Sequence, residues 1–300
     1  MNVLLATDAS EQAERAQRLV AAVRWPDPTH IEVLYVDQAM TGELDLPVAK
    51  YASLQERVRQ RIDAHLARVR RSLEGPGRDV EAALLLGRPG SVIVDEARRI
   101  PADVVVVGSH GHGAVASAFL GSVSAEVVDL APCPVLVARK TTLTKVVFAT
   151  DGSDGARQAE DLVATWPFLA ALPVRVVSVA SLTPALAALD PTGTGMIPAE
   201  IYQQLSEEVR AEHERAANES VKRLVARHVN ATAALREGYA PNEIVRDAAN
   251  TGADLIVIGC RGRTGLPRLL LGSVARSVLF QAPCSVLVVR QQPVAGLTGN

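Results

Sequence analysis

The sequence predicts an α/β chain of two doubly wound domains, each a parallel sheet flanked by helices. Three observations carry that expectation. Short runs of β-branched residues alternate with amphipathic stretches of helical period along the whole chain. Runs such as Val104–Val107 and Leu255–Ile258 are apolar at every position, as in strands buried on both faces of a parallel sheet. One glycine spacing occurs twice, 151 positions apart: Gly108-Ser-His-Gly111, nine residues, Gly121-Ser122, and Gly259-Cys-Arg-Gly262, nine residues, Gly272-Ser273. Aligned without gaps, residues 108–139 and 259–290 share 14 of 32 positions, so the chain is an internal duplication.

Element by element, the first copy opens with an apolar strand near Val3–Ala6, followed by an amphipathic helix over Glu11–Val23. β-Branched runs then predict strands at Ile31–Val36, Val80–Leu86, Asp103–Gly108 and Pro134–Arg139. The helices between them fall at Leu54–Leu73, long and rich in Arg, at Val92–Arg98, and at Ser122–Leu130, which stops before Ala-Pro-Cys. The second copy repeats the strands at Lys145–Ala149, Val174–Val179, Ala231–Leu235, Asp254–Gly259 and Ser285–Arg290. Its helices fall at Ala156–Thr165, Ala199–His228, Asn242–Ala249 and Val274–Gln281. Each domain is expected to be a five-stranded sheet of Rossmann-like order 3-2-1-4-5, domain 1 over residues 1–140 and domain 2 over 141–300.

The register between copies shifts along the chain. Thr7-Asp8-Ala9-Ser10 matches Thr150-Asp151-Gly152-Ser153 at an offset of 143, whereas Gly87, Ile93 and Asp103 match Gly238, Ile244 and Asp254 at 151. Eight extra residues therefore enter the second copy, and Ser181–Pro198 is where Thr, Pro and Gly collect. A loop there follows the second strand, at the carboxyl edge where open α/β sheets bind ligands. Only Lys140–Thr144 separates the last strand of one copy from the first of the next.

The glycine loops point to an anion. Without a Cβ, the backbone N–H groups of such a loop can approach a phosphate closely, and the helix that follows adds unpaired N–H groups and a positive dipole end. The competing reading is that the glycines only let the chain turn tightly from strand to helix. Duplication of the full spacing favours phosphate.

A first strand running into Asp-Gly-Ser, a long second helix and the pattern G-x2-G-x9-G-[ST] before a last helix and strand together resemble the universal stress protein family. The resemblance covers nearly the whole chain, twice. The second loop, 259–279, is close to the family pattern; the first, 108–128, keeps the spacing but lacks the basic and Leu-rich centre. The resemblance implies ATP binding in each half, a stress-response or signalling role, and final strands that pair so that the two halves form an internal pseudo-dimer. It places Ala6, Thr7, Asp8 and Ala149, Thr150, Asp151 near adenine at the ends of the first strands. Val36 and Val179 would contact the base. Gly108, Ser109, Gly111, His112, Gly121, Ser122, Val123 and Ser124 would hold ribose and phosphates in the first copy. Gly259, Cys260, Gly262, Arg263, Gly272, Ser273, Val274 and Ala275 would do so in the second. Asp8 followed by Glu11 also has capping-box spacing, so a helix cap is a second reading of Asp8.

Other chemistry is poorly represented. No Walker A sequence and no strand-linked G-x-G-x-x-G occurs, and no serine sits in a G-x-S-x-G elbow. His110 and His112 have no Cys or carboxylate partner at metal-ligand spacing. Slow ATP hydrolysis or adenylyl transfer is the enzymatic alternative; it would call for Mg2+, for which only the phosphates and Asp8 or Asp151 offer ligands. A nucleotide-free interaction module is the third reading. A formal charge of −2 leaves no footprint for nucleic acid or anionic membrane. The chain starts in a strand and has no span-length apolar run, so a cytoplasmic protein is expected, as a homo-oligomer with an unknown protein partner. The three cysteines are too few for a disulfide framework; Cys133 and Cys284 read as buried apolar residues, and Cys260 as a partly exposed alternative.

Overall fold

A nearly unbroken apolar run opens the chain as β1 (Asn2–Thr7), in which Val3, Leu4 and Leu5 are wholly buried. Strands covered on both faces need apolar residues on both, which is why these runs do not alternate. The computed structural model describes residues 1–38, 48–111, 120–182, 186, 198–262 and 271–290. Its two compact units divide between Thr142 and Leu143.

In the first unit β1 is followed by α1 (Glu11–Ala22), β2 (Thr29–Asp37), α2 (Val48–Leu73), β3 (Arg78–Leu86), α3 (Pro89–Arg99), β4 (Val104–Gly108), α4 (Ser122–Leu130) and β5 (Val135–Ala138). All pairings are parallel, in the order β3-β2-β1-β4-β5. The second unit runs β6 (Val146–Ala149), α5 (Asp154–Thr165), the single turn α6 (Pro167–Ala170), β7 (Val174–Ala180), α7 (Ala199–Ala226), β8 (Ala231–Glu237), α8 (Ala240–Thr251), β9 (Leu255–Gly259), α9 (Ser273–Gln281) and β10 (Ser285–Val289). Its order, β8-β7-β6-β9-β10, reproduces the first.

Each sheet reverses its winding at the first strand. From β1 the chain goes outward to β2 and β3, then returns to β4 on the other side, and β6 stands between β7 and β9 in the same way. Crossovers therefore leave β1 and β4 in opposite directions and open a crevice at their carboxyl ends.

The elements depart from expectation mainly at their ends. Helix α2 begins at Val48 rather than Leu54, and α3 and α8 begin two or three residues early, each with a proline in its first turn. Proline is compatible with a first turn because its missing N–H would be unpaired there anyway. Helix α6 was not expected; it follows Trp166, whose ring lies 5.4 Å from that of Phe168. Ten residues separate β2 from α2 and eighteen separate β7 from α7, which puts all eight extra residues in that connection. Most of Ser181–Pro198 lies outside the described residues.

Candidate functional site

The site begins with the turn that leaves the first strand. Thr7 Oγ1 accepts from the Ala9 N–H at 3.3 Å, and Asp8 Oδ1 accepts from the Ser10 N–H at 2.9 Å. Ser10 Oγ then caps α1, accepting from the Ala13 N–H at 3.2 Å. The second unit repeats each bond: Gly152 N–H to Thr150 Oγ1 at 3.2 Å, Ser153 N–H to Asp151 Oδ1 at 3.0 Å, and Ala156 N–H to Ser153 Oγ at 3.3 Å. The helix cap is thus Ser10, and Asp8 is not it, because β1 runs on to Thr7 and the turn consumes two more residues. In that turn Ala9 has φ 62° and Gly152 has φ 75°, both left-handed.

Strand β4 delivers the glycine loop beside this turn. A Cβ on Gly111 would strike Asp8 Oδ2, and one on Gly262 would lie 2.5 Å from Asp151 Oδ2. Glycine at these positions lets the loop backbone close on the carboxylate. Gly108 and Gly259 answer to a different neighbour: a Cβ would come within 2.9 Å of the Gln12 carbonyl carbon, or 2.6 Å of Gly155 O. Their small size seats the first turns of α1 and α5 on β4 and β9, which is a packing role.

Gly121 and Gly272 close the loops, donating their N–H groups to Ser109 O at 2.7 Å and Cys260 O at 2.8 Å. They also stand at the N-caps of α4 and α9, where no side chain caps the helix and no acidic residue occupies the first turn. The first-turn N–H groups of Ser122, Val123 and Ser124, and of Ser273, Val274 and Ala275, have no intrahelical acceptor by position. A helix N-terminus in this state favours an anion. Ser122 and Ser273 are exposed, Val123 and Val274 half-buried, and Ser124 and Ala275 buried. The Ser124 hydroxyl donates to Gly108 O at 2.7 Å and so faces the strand.

The remaining described candidates lie at the carboxyl ends of the strands and differ in burial. Thr7 and Thr150 are each 7% exposed, Ala149 is buried and Ala6 half-buried. Val36 and Val179 lie at the carboxyl ends of β2 and β7, one position beyond the partners of the threonines. Ser109 is buried, its Oγ 3.1 Å from His110 Nδ1. Cys260 is buried as well, like Cys133 and Cys284, so of its two readings the partly exposed thiol is not the one the structure shows. His112 and Arg263 lie outside the described residues.

Two residues beside the site escaped the sequence reading. His65, on the buried face of α2, is 7% exposed, with Nε2 3.2 Å from Thr7 Oγ1 and Nδ1 3.4 Å from Arg68 Nη2. Tyr35 meets its ring edge-on at a centroid separation of 6.5 Å. Burial, then Arg68, holds the His65 pKa below the ordinary histidine value, against weaker pulls from Glu14 and Asp8. In the second unit a different histidine, His213 on α7, lies with Nδ1 2.8 Å from Ser178 Oγ. The available signal was a histidine in phase with Ile62, Leu66 and Val69 on an otherwise apolar helix face.

Comparison with known proteins identifies the family of the chain. The sequence model of the Universal stress protein family matches residues 1–139 and again 142–290. A universal stress protein of Methanocaldococcus jannaschii is 35% identical over 148 residues, 49% of this chain and 82% of that protein. One from Mycobacterium bovis is 27% identical over 292 residues, covering 90% of each chain. Among solved structures, a universal stress protein from Archaeoglobus fulgidus superposes with a TM-score of 0.66 at 19% identity, covering 97% of this chain and 96% of that one. No helix among the described residues is long and apolar enough to cross a membrane. With both halves matched, the chain belongs to the universal stress protein family and carries its domain in tandem.

Proposed function

We propose that each domain binds adenine nucleotide, ATP, in the crevice at the carboxyl ends of its first and fourth strands, and that the chain acts as a cytoplasmic stress-response or signalling protein. One observation carries this reading: the same juxtaposition of an uncapped helix N-terminus, a glycine-closed loop and a carboxylate-bearing turn is built twice. The helix N–H groups suit phosphates, which need several donors at once and gain from the dipole. Asp8 and Asp151 suit a donor-bearing base, and Val36 and Val179 supply an apolar contact for its ring. The phosphates would carry Mg2+ with them, and Asp8 and Asp151, which lie against Gly111 and Gly262, are the turn carboxylates available to it. Binding energy that differs between loop conformations would then drive a signal.

The test places a carboxylate where the phosphate would lie. Ser122→Asp and Ser273→Asp put negative charge at the exposed first position of α4 and α9, which helps the fold by about 0.3–1 kcal/mol through the dipole while repelling phosphate. Calorimetric titration of ATP should show two sites in the parent chain, one in each single variant and none in the double variant. A double variant that binds ATP as the parent does would sink the proposal. Mass spectrometry of ligand released from denatured protein provides an independent check.

A further inference from the structure

We propose that His65 is a positioning residue of the first site, holding the Thr7 hydroxyl as a hydrogen-bond donor toward the bound nucleotide; this rests on the nucleotide reading above. Arg68 fixes where the ring proton of His65 sits. A guanidinium offers only donors, so the His65 Nδ1 that it faces at 3.4 Å must be an acceptor and carry no proton. The ring proton of neutral His65 then resides on Nε2, which donates to Thr7 Oγ1 at 3.2 Å. The same oxygen accepts from the Ala9 N–H at 3.3 Å. A hydroxyl has two acceptor lone pairs, and both are now engaged, so its own proton is left to be donated. Thr7 ends β1 at the crevice, beside Asp8. The first site therefore presents a fixed donor next to a carboxylate acceptor.

The second site lacks the device. Matching the buried positions Leu66, Val69 and Leu73 of α2 to Ala217, Ser220 and Leu224 of α7 puts Ala216 in the place of His65. Among the described residues Thr150 Oγ1 accepts from the Gly152 N–H alone, so its hydroxyl keeps one lone pair and can donate or accept. Protonation of His65 is opposed by burial and by Arg68, and favoured more weakly by Glu14 on α1 and Asp8 in the turn, with Tyr35 of β2 neutral at its edge. The neutral tautomer consequently persists through the neutral range.

The experiment uses the full chain with Ser273→Asp silencing the second site, and ATP as the probe. Nitrogen-15 NMR of the His65 ring should show the Nε2–H tautomer at pH 7.5, and Arg68→Leu, at an exposed position, should mix the tautomers. His65→Leu should weaken ATP binding at the first site about fivefold to tenfold, the value of one hydrogen bond, whereas His65→Gln, which retains a donor, should stay within about twofold. An Nδ1–H tautomer, an unchanged affinity in His65→Leu, or an equal loss in His65→Gln would each overturn the proposal. If His65→Leu fails to fold, the Arg68→Leu affinity decides, with no loss of affinity counting against. Should the parent chain bind no ATP at either site, the nucleotide reading is the one that fails. Amide exchange at Ala9 then judges His65 alone: faster exchange in His65→Leu than in His65→Gln supports positioning of the turn, and equal exchange refutes it.

Discussion

Ala9 and Gly152 occupy the same corner of the two turns, at φ 62° and 75°, yet only one of them is glycine. A left-handed conformation brings a Cβ against the neighbouring backbone at a cost of about 1–2 kcal/mol, partly offset because glycine has more freedom to lose on folding. Ala9→Gly should therefore stabilise the first domain by about 0.5–1 kcal/mol, and Gly152→Ala should destabilise the second by at least that much. Amide exchange in each domain, compared between parent and variant, checks both signs. The sequence displayed the Thr-Asp-x-Ser match but not its conformation, and the spacing to Glu11 offered a helix cap as a second reading of Asp8. What decided otherwise is where β1 ends: Ser10 enters α1 with φ −73° and ψ 164°, the extended geometry of an N-cap, which leaves Asp8 to face Gly111. His65 was illegible for a related reason. A polar residue on an apolar helix face declares burial, but its partner, Thr7, is 58 positions away.

Strands buried on both faces were easy to read, and their observed ends differ by only one or two residues from the apolar runs. Helix starts were harder, because Pro89 and Pro241 look like breaks until they are seen in first turns. The glycine loop was half legible. Its spacing marked a strand-to-helix passage, while the division of labour among its glycines needed coordinates: Gly259 accommodates α5, Gly262 the Asp151 carboxylate, and Gly272 the Cys260 carbonyl. That division makes a prediction at the level of packed elements. In Gly259→Ala the new Cβ would stand 2.6 Å from Gly155 O, a backbone atom that cannot move without shifting α5 off β9. Overpacking of this kind costs about 1–3 kcal/mol. Urea denaturation should show that loss, and calorimetry on the folded fraction should show ATP binding at the second site still in place. A Gly259→Ala chain as stable as the parent would mean that α5 is not held against β9 by this contact.

At the scale of the whole chain, duplication preserved the sheet and the crevice while the charges packed beneath the helices diverged. Where the second unit joins Arg175 of β7 and Arg236 of β8 to the buried Asp247 of α8, at 2.9 and 2.6 Å, the first has Glu32 of β2 opposite Glu96 of α3. Arg99 reaches both acids, at 2.9 Å to Glu32 Oε2 and 2.6 Å to Glu96 Oε1, but Glu32 Oε1 finds no donor among the described residues. Two carboxylates packed together in a buried place favour a proton on one of them. Burial first, then the hydrogen bond and charge of Glu96, raise the Glu32 pKa from 4.5 to about 7, against the pull of Arg99. Folded Glu32 thus binds its proton more tightly than the unfolded chain does. The stability it contributes is complete below pH 4.5, declines as pH rises, and is gone once pH passes about 7. Glu96, held lower by Arg99, acts in the opposite sense at more acid pH. Glu32→Gln keeps a donor toward Glu96 at every pH, so it should stabilise the first domain at pH 8 by roughly 1–3 kcal/mol and flatten its pH dependence between 5 and 8. Amide exchange in β2 and α3, set against β7 and α8 of the same molecule, reads the two domains side by side. The second pair should not respond to the substitution, and a first pair equally indifferent between pH 5 and 8 in the parent chain would show that Glu32 carries no such proton.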